Sequence, residues 1–460
     1  MPAPGQWGQF GFDAPCQDAA GVVGCLRFGR IAAVLTRREL IAAAPMSLAA
    51  RLASSQTAPR VDRVLATVND GADVALLQDM IRMRSYSAGG EESALAKKLV
   101  ADMQALGLEA RLQEVEPGRF NAIGVLTGTG GGKSLMLNGH IDTNPVGVGW
   151  TVDPFGGLVR DGFVHGIGVS NMKASCAAFF GAARAVVRSG VKLRGDLVLA
   201  FVVGELQGGV GTKTLVAAGM RTDHFIVGEP TDLAVMTLHA ANVEFAVHTF
   251  GVTRHMSKAE EAVSAIDTMY LVIERLKRMT FTGPSNPEHA SVRRLNIGSL
   301  RAGLGREYHD WRTPQVPDVA TIKVAVRYGP GQTAEGVLAD VQRELDALAA
   351  ADRRVKAEIA PPAASNTNRT DAFEIARTAP IVQVVRDAHE RVMRRAPEVG
   401  AVAPYRYYGT DAPFLAAVGS QGVVCGVGGK YNTMPDEKVE LTDFHGGTRI
   451  YATVAVAVCG

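Results

Sequence analysis

The chain has 460 residues, 47% of them hydrophobic and 20% charged, with 51 glycines. That composition builds a large core and predicts two domains rather than one. A formal net charge of +2 gives no electrostatic basis for nucleic-acid binding, and no apolar run is long enough to span a bilayer.

Residues 1–60 read as a tail outside any globular domain. Arg37 and Arg38 are followed by the Ala/Leu-rich run Ala42–Ala50 and by small residues up to Ala58. This pattern resembles a twin-arginine export signal. Arg51 interrupts the apolar run and 36 residues precede the arginines; a start assigned too far upstream accounts for the second, and an irregular basic tail on a cytoplasmic protein is the competing reading. The five cysteines (Cys16, Cys25, Cys176, Cys425, Cys459) show no C-x-x-C spacing. Cys176 falls on an expected core helix and Cys425 on an expected core strand, so buried free thiols are expected and no disulfide framework.

From Asp73 onward, Leu76, Leu77, Met80 and Met83 share one helical face, and Gly89-Gly90 separates them from Leu95, Leu99, Met103 and Leu106 on a second helix. Strands and helices then alternate. Lys133–Leu137 runs into His140, Leu197–Val203 ends before Glu205, and His224–Val227 ends before Glu229, with helices expected after Met172 and Gly209. Such alternation predicts an α/β fold with a mostly parallel central sheet covered by helices on both faces. Ligands in such sheets bind at the carboxyl ends of strands, where His140, Glu205 and Glu229 all fall.

Near Val235 the rhythm changes. Val243–His248, Leu295–Leu300 and Ala320–Val326 read as strands and Thr333–Ala350 as a helix. Ala259–Met279 is amphipathic, with Val263, Ile266, Met269, Val272 and Leu276 expected inward. This β-α-β-β-α-β order predicts an inserted α+β two-layer unit, with Gly303–Pro317 a loop. The expected divisions are the tail at 1–60, a first catalytic segment at 61–235, the insert at 236–360 and a second catalytic segment at 361–460. The last segment carries the strand Gly422–Gly426 and a final helix from Leu441.

His140 and Asp142 lie two apart at a strand end, which on an extended backbone points both side chains the same way. The spacing suits a metal-bound imidazole whose other ring nitrogen is held by a carboxylate. Beyond them come Asp153-Pro-Phe-Gly-Gly157, Arg160-Asp-Gly162, Gly166-x-Gly168 and Asn171-Met-Lys173. The whole block resembles the two-metal aminoacylase, acetylornithine deacetylase, succinyl-diaminopimelate desuccinylase and glutamate carboxypeptidase family of metallohydrolases. The resemblance covers about Asp73 to Val458. It implies a catalytic domain of the zinc-peptidase type and a lid that pairs in a homodimer.

The resemblance also assigns residues. Glu205, in Gly204-Glu-Leu-Gln-Gly-Gly209, matches the general base; a helix N-terminal carboxylate is the competing reading. Glu229, in Gly228-Glu-Pro-Thr231, matches a metal carboxylate. Asn171 stands at the bridging aspartate, keeping an oxygen but not the charge. Leu206 and Thr433 stand at the two ligand positions peculiar to the second metal, and neither supplies the carboxylate or imidazole expected there. His255 matches the lid histidine that reaches across the dimer to a developing oxyanion, with Asp142 and Glu205 the other catalytic positions. Arg327 matches an arginine that forks onto a substrate carboxylate, and Asp411 is expected to line the pocket.

These departures predict one divalent ion (zinc, manganese or cobalt) on His140, Glu229 and Asn171 in place of two, because two dications need anionic bridging ligands. The expected function is hydrolysis of a C–N bond in a small N-acyl or carbamoyl amino acid or short peptide. Release of an amine from an activated, even aromatic, carbon is the alternative within that class, and a non-catalytic dimeric binding protein the alternative outside it.

Overall fold

A computed structural model describes residues 57–283, 286–310, 312–360 and 370–460 of the chain. Arg37, Arg38, Cys16, Cys25 and Trp311 lie outside the described residues, and with them the reading of an export signal. Among the described residues no helix is long and apolar enough to cross a membrane.

The three apolar runs become the strands Leu135–His140, Leu197–Val202 and His224–Pro230. The first lies between the other two, parallel to both, with His140 opposite Val202. All three are buried along almost their whole length, as a strand covered on both faces must be. Gln421–Gly426 pairs parallel to His224–Pro230 on the far side. The α/β reading therefore holds, with an eight-stranded sheet whose centre is parallel.

Its edge departs from that reading. Glu109–Glu116 and Arg119–Leu126 form an antiparallel hairpin, and the second strand joins Leu197–Val202 antiparallel. The sheet is thus mixed. The first hairpin strand alternates charged and apolar residues over a half-exposed edge, so no apolar run marks it. Gly118 turns the hairpin at φ 77°.

One sheet face packs on the helices Asp70–Arg82, Ser93–Ala105, Ala174–Ser189, Pro380–Met393 and Leu441–Cys459, which share a core with Leu137, Leu199 and Ile226. Phe179 and Tyr451 lock two of these helices together with ring centres 4.6 Å apart. The other face carries Val210–Ala217 and Ala412–Ala417 through Leu215 and Leu415. Cys176, Cys425 and Cys459 are buried free thiols.

The insert is a four-stranded antiparallel sheet, ordered Arg294–Gly303, Val319–Tyr328, Ala241–Phe250, Lys356–Ala360, with helices Ala265–Arg278 and Ala334–Ala351. Its core holds Phe245, Val247, Met269, Val272, Val324 and Val341. One expectation fails here: Ile266 is 47% exposed. The helix begins only at Ala265, capped by Ser264, and Val263 lies in a bridge to Val252 before it. Counted from that start, the inward face is Ala265, Thr268, Met269, Val272 and Leu276, and Ile266 turns outward.

The close approach of strands sets up the site. A Cβ added to Gly426 would fall on the carbonyl oxygens of Gly228 and Glu229, the backbone that carries the Glu229 carboxylate. Gly426→Ala is therefore expected to cost at least about 1–3 kcal/mol by overpacking and to lower the thermal midpoint. Gly147→Ala, where the methyl meets open space, is the control. Equal midpoints for the two variants would refute this account of the strand contact.

Candidate active site

Three consecutive positions in the sheet deliver the central side chains. His140 ends its strand, Glu229 lies near the end of the next, and Glu205 follows the strand on the other side. The potential ligand atoms of His140, Glu205 and Glu229 lie within 4.8 Å of one another. At that separation two carboxylates repel by about 3–4 kcal/mol in a medium of effective dielectric about 20.

The imidazole of His140 is buried, and both of its nitrogens face oxygens. Nδ1 lies 3.0 Å from the backbone carbonyl of Asp142 and 3.4 Å from its carboxylate. Nε2 lies 3.0 Å from Asn171 Oδ1 and 3.5 Å from Glu229 Oε1. A neutral imidazole has one N–H, so one nitrogen would aim its lone pair at oxygen. A positive charge at Nε2, a proton or a metal ion, resolves this. Imidazole nitrogen and carboxylate or amide oxygen are donors of the kind zinc takes, and His140, Asn171 and Glu229 bring them together at Nε2. Leu206 and Thr433 offer no second set.

Asp142 takes a second part besides the one its spacing suggests, where its carboxylate faces Nδ1 of His140. Its two carboxylate oxygens accept the backbone N–H groups of Glu205 and Leu206, each at 3.2 Å, while its carbonyl makes the shorter contact to His140. The residue thus ties the His140 strand end to the turn that carries Glu205. Gly204 enters that turn at φ 66°, and Arg119, paired with buried Glu92, reaches Gln207 on its far side. The loop bearing Asn171 is held by Glu437, whose carboxylate accepts N–H groups from Gly168 (3.1 Å), Ser170 (2.7 Å) and Asn171 (3.0 Å). Glu437 closes the Pro435-Asp-Glu run but carries no mark in sequence of this backbone task.

The charges follow from burial. Desolvation disfavours ionised Glu205 and the neighbouring Glu229 adds to it, holding the Glu205 carboxyl well above the carboxylate range. Burial likewise lifts Glu229 to about 7 and Asp411 to about 6. Burial opposes a charge on His140, yet Glu229 and Asp142 outweigh it and raise its pKa well above the ordinary value. The cluster accepts positive charge.

A cavity of ≈ 370 Å³ opens on this cluster, walled by Glu205, Glu229, Asn171, Arg327, Tyr408 and Asn432 among others. Arg327 comes from the root of the insert, where it pairs across the strands with Asn242. Asn242, Glu244, Thr370 and Tyr408 also line the cavity and carry no motif; only the packing of insert on sheet brings them there. Asp411 corrects its expectation. It lies beneath the cavity rather than on its wall, buried and accepting Thr212 Oγ1 at 2.7 Å, with Asn138 bonded to Thr212 behind. It follows Thr410 at the start of a helix packed under the sheet end, so it acts on the charges of Glu205 and Glu229. His255 is exposed on the insert, bonded to Ser257, and does not line the cavity of its own chain.

Residues 136–457 match the model of peptidase family M20/M25/M40. The chain is 28% identical over 391 residues to acetylornithine deacetylase of Edwardsiella ictaluri, covering 83% of this chain and 96% of that protein. It is 25% identical over 367 residues to N-formyl-4-amino-5-aminomethyl-2-methylpyrimidine deformylase of Halalkalibacterium halodurans, covering 72% and 82%. Among solved structures it is similar in fold to aminopeptidase PepT from Bacillus cereus (TM-score 0.70, 20% identity, 86% of this chain and 100% of that one). Human carnosine dipeptidase 1 is similar at TM-score 0.64 and 14% identity, over 87% and 99%.

Asp142→Asn keeps the shape but leaves a single oxygen for two N–H donors and weakens the field on His140. A loss of about 10–100-fold in metal affinity is expected. Competition with a chromogenic chelator measures it, and wild-type affinity in the variant would refute the positioning role.

Proposed function

The chain belongs to peptidase family M20/M25/M40, hydrolases of amide and peptide bonds, and from that premise we propose that it cleaves a small N-acyl or carbamoyl amino acid or short peptide with one divalent ion instead of two. The observation that carries this reading is the pair of oxygens, on Asn171 and Glu229, facing Nε2 of His140. Together they make three donors for one ion, and the substitutions at Leu206 and Thr433 leave nothing for another. When bound, the ion supplies Lewis acidity, polarising a carbonyl and acidifying water. A donor set of two oxygens and one imidazole suits manganese or zinc, with cobalt as a laboratory substitute.

Glu205 serves as the general base. Its carboxylate lies within 4.8 Å of the ligand atoms of His140 and Glu229, within reach of a water held there. A carboxylate whose pKa burial has raised is a stronger base than an exposed one. In the reaction the water oxygen bonds to the acyl carbon and the C–N bond breaks. The proton taken by Glu205 passes to the departing amine. Arg327, half-buried on the same cavity, holds the substrate carboxylate as a fork, and desolvation there strengthens the contact. His255, too far out to serve its own chain, is supplied to the oxyanion by the partner in a homodimer formed through the insert.

Elemental analysis of purified protein is expected to find about one manganese or zinc per chain, lost in His140→Ala. Glu205→Gln is expected to keep the metal and lower kcat by at least about 100-fold, the ordinary size of a general-base contribution. Loss of metal in that variant would make Glu205 a ligand and end the base assignment. The triple variant Asn171→Asp, Leu206→Glu, Thr433→His is expected to raise the content towards two ions; a stoichiometry fixed at one would refute the account of the missing ligands.

A further inference from the structure

A second cavity, of ≈ 290 Å³, adjoins the first, and the two share Asn144, Asn171, Leu206 and Thr433 on their walls. The junction therefore falls on the residues standing where a second metal would be held. An acid at 206 and an imidazole at 433 would fill that junction with a cation and its ligands. Leucine and threonine open it.

Beyond the junction the apolar walls are Pro145, Val148, Trp150, Ile167 and Met434, with Thr143 and Glu437 the polar side chains among them. Val148 is 95% exposed and Met434 48% exposed, so apolar surface stands uncovered beside the catalytic cluster. The one charged residue on this wall is Glu437, and its carboxylate is already committed to the N–H groups of Gly168, Ser170 and Asn171. Among the described residues, no lysine, arginine or histidine lines the chamber to receive an anion. The first cavity is the opposite: it carries Arg327 and polar side chains.

We propose that this chamber is the acyl subsite, and that it selects substrates whose acyl group is apolar, a ring or a chain of about four to six carbons. The proposal rests on the hydrolase reading above. A substrate would lie with its carboxylate on Arg327, its scissile bond beside Glu205 and Asn171, and its apolar acyl group between Trp150, Leu206 and Met434. Acetyl is too small to cover these walls, and succinyl would set a carboxylate against apolar surface with no cation to pair it. Discrimination by apolar contact in such a pocket amounts to about 10–200-fold.

The test has two readouts on the manganese-loaded full chain. In the first, benzoate, hexanoate, acetate and succinate, the acids that hydrolysis would release, are titrated by calorimetry. Benzoate and hexanoate are expected to bind at least about tenfold more tightly than the other two, and Met434→Asp, an exposed position that does not threaten folding, is expected to erase the difference. Quenching of fluorescence by benzoate that disappears in Trp150→Phe locates the ligand. In the second, kcat/KM is compared for the benzoyl, hexanoyl, acetyl and succinyl derivatives of alanine, glutamate and ornithine, with the first two acyl groups expected to lead. Equal binding of all four acids, or a preference untouched by Met434→Asp, overturns the subsite. Turnover fastest on acetyl or succinyl derivatives also overturns it while leaving the hydrolase reading in place. Tight benzoate binding that Met434→Asp erases, with no turnover of any of these derivatives or of carbamoyl amino acids and dipeptides, supports the subsite and overturns the hydrolase reading.

Discussion

One buried imidazole surrounded by oxygens governs this site. His140 has a carbonyl and a carboxylate at one nitrogen and an amide oxygen and a second carboxylate at the other. With Glu205 and Asp411 close by, acid groups are gathered in a largely buried cluster, and a positive charge at its centre favours their ionised forms. The surrounding polar structure serves to hold these oxygens in place against their mutual repulsion.

Each support is a backbone contact made by a buried acid. Asp142 grips the turn of Glu205 and Leu206, and Glu437 grips the loop of Gly168 to Asn171. Neither carboxylate needs to touch substrate to matter. The parallel strands fix the spacing of His140 and Glu229, and Gly426 permits the strand approach behind them. The proposed base, ion site and arginine thus come from five separate stretches of chain whose relative positions depend on sheet register and on how the insert is rooted.

The missing ligands have consequences on both sides of this cluster. On the one-ion reading proposed above, Asn171 lacks the charge that a bridge between two ions requires, while its oxygen faces Nε2. At Leu206 and Thr433 the loss of donors joins the polar cavity to an apolar chamber. If the proposed one-ion reading holds, the same substitutions that remove an ion also make room for substrate. That makes the altered positions informative about specificity as well as about metal content.

Much of the fold was legible in the residues. Short buried runs between glycines marked the central strands, heptad-like spacing marked the flanking helices, and alternation marked the insert. The edge hairpin at Glu109–Leu126 escaped because half-exposed strands mix charged and apolar residues, and Ile266 was turned the wrong way because helix phase depends on the cap at Ser264. The types of residue at positions 140, 171, 205, 206, 229 and 433 were enough to count plausible metal ligands, since donor chemistry belongs to the side chain alone. Where Asp142 and Asp411 point, what Glu437 holds, and that Leu206 faces a chamber with Trp150 and Met434 were decided only by tertiary structure. Those facts depend on distances between segments hundreds of residues apart, which packing sets and local sequence does not encode.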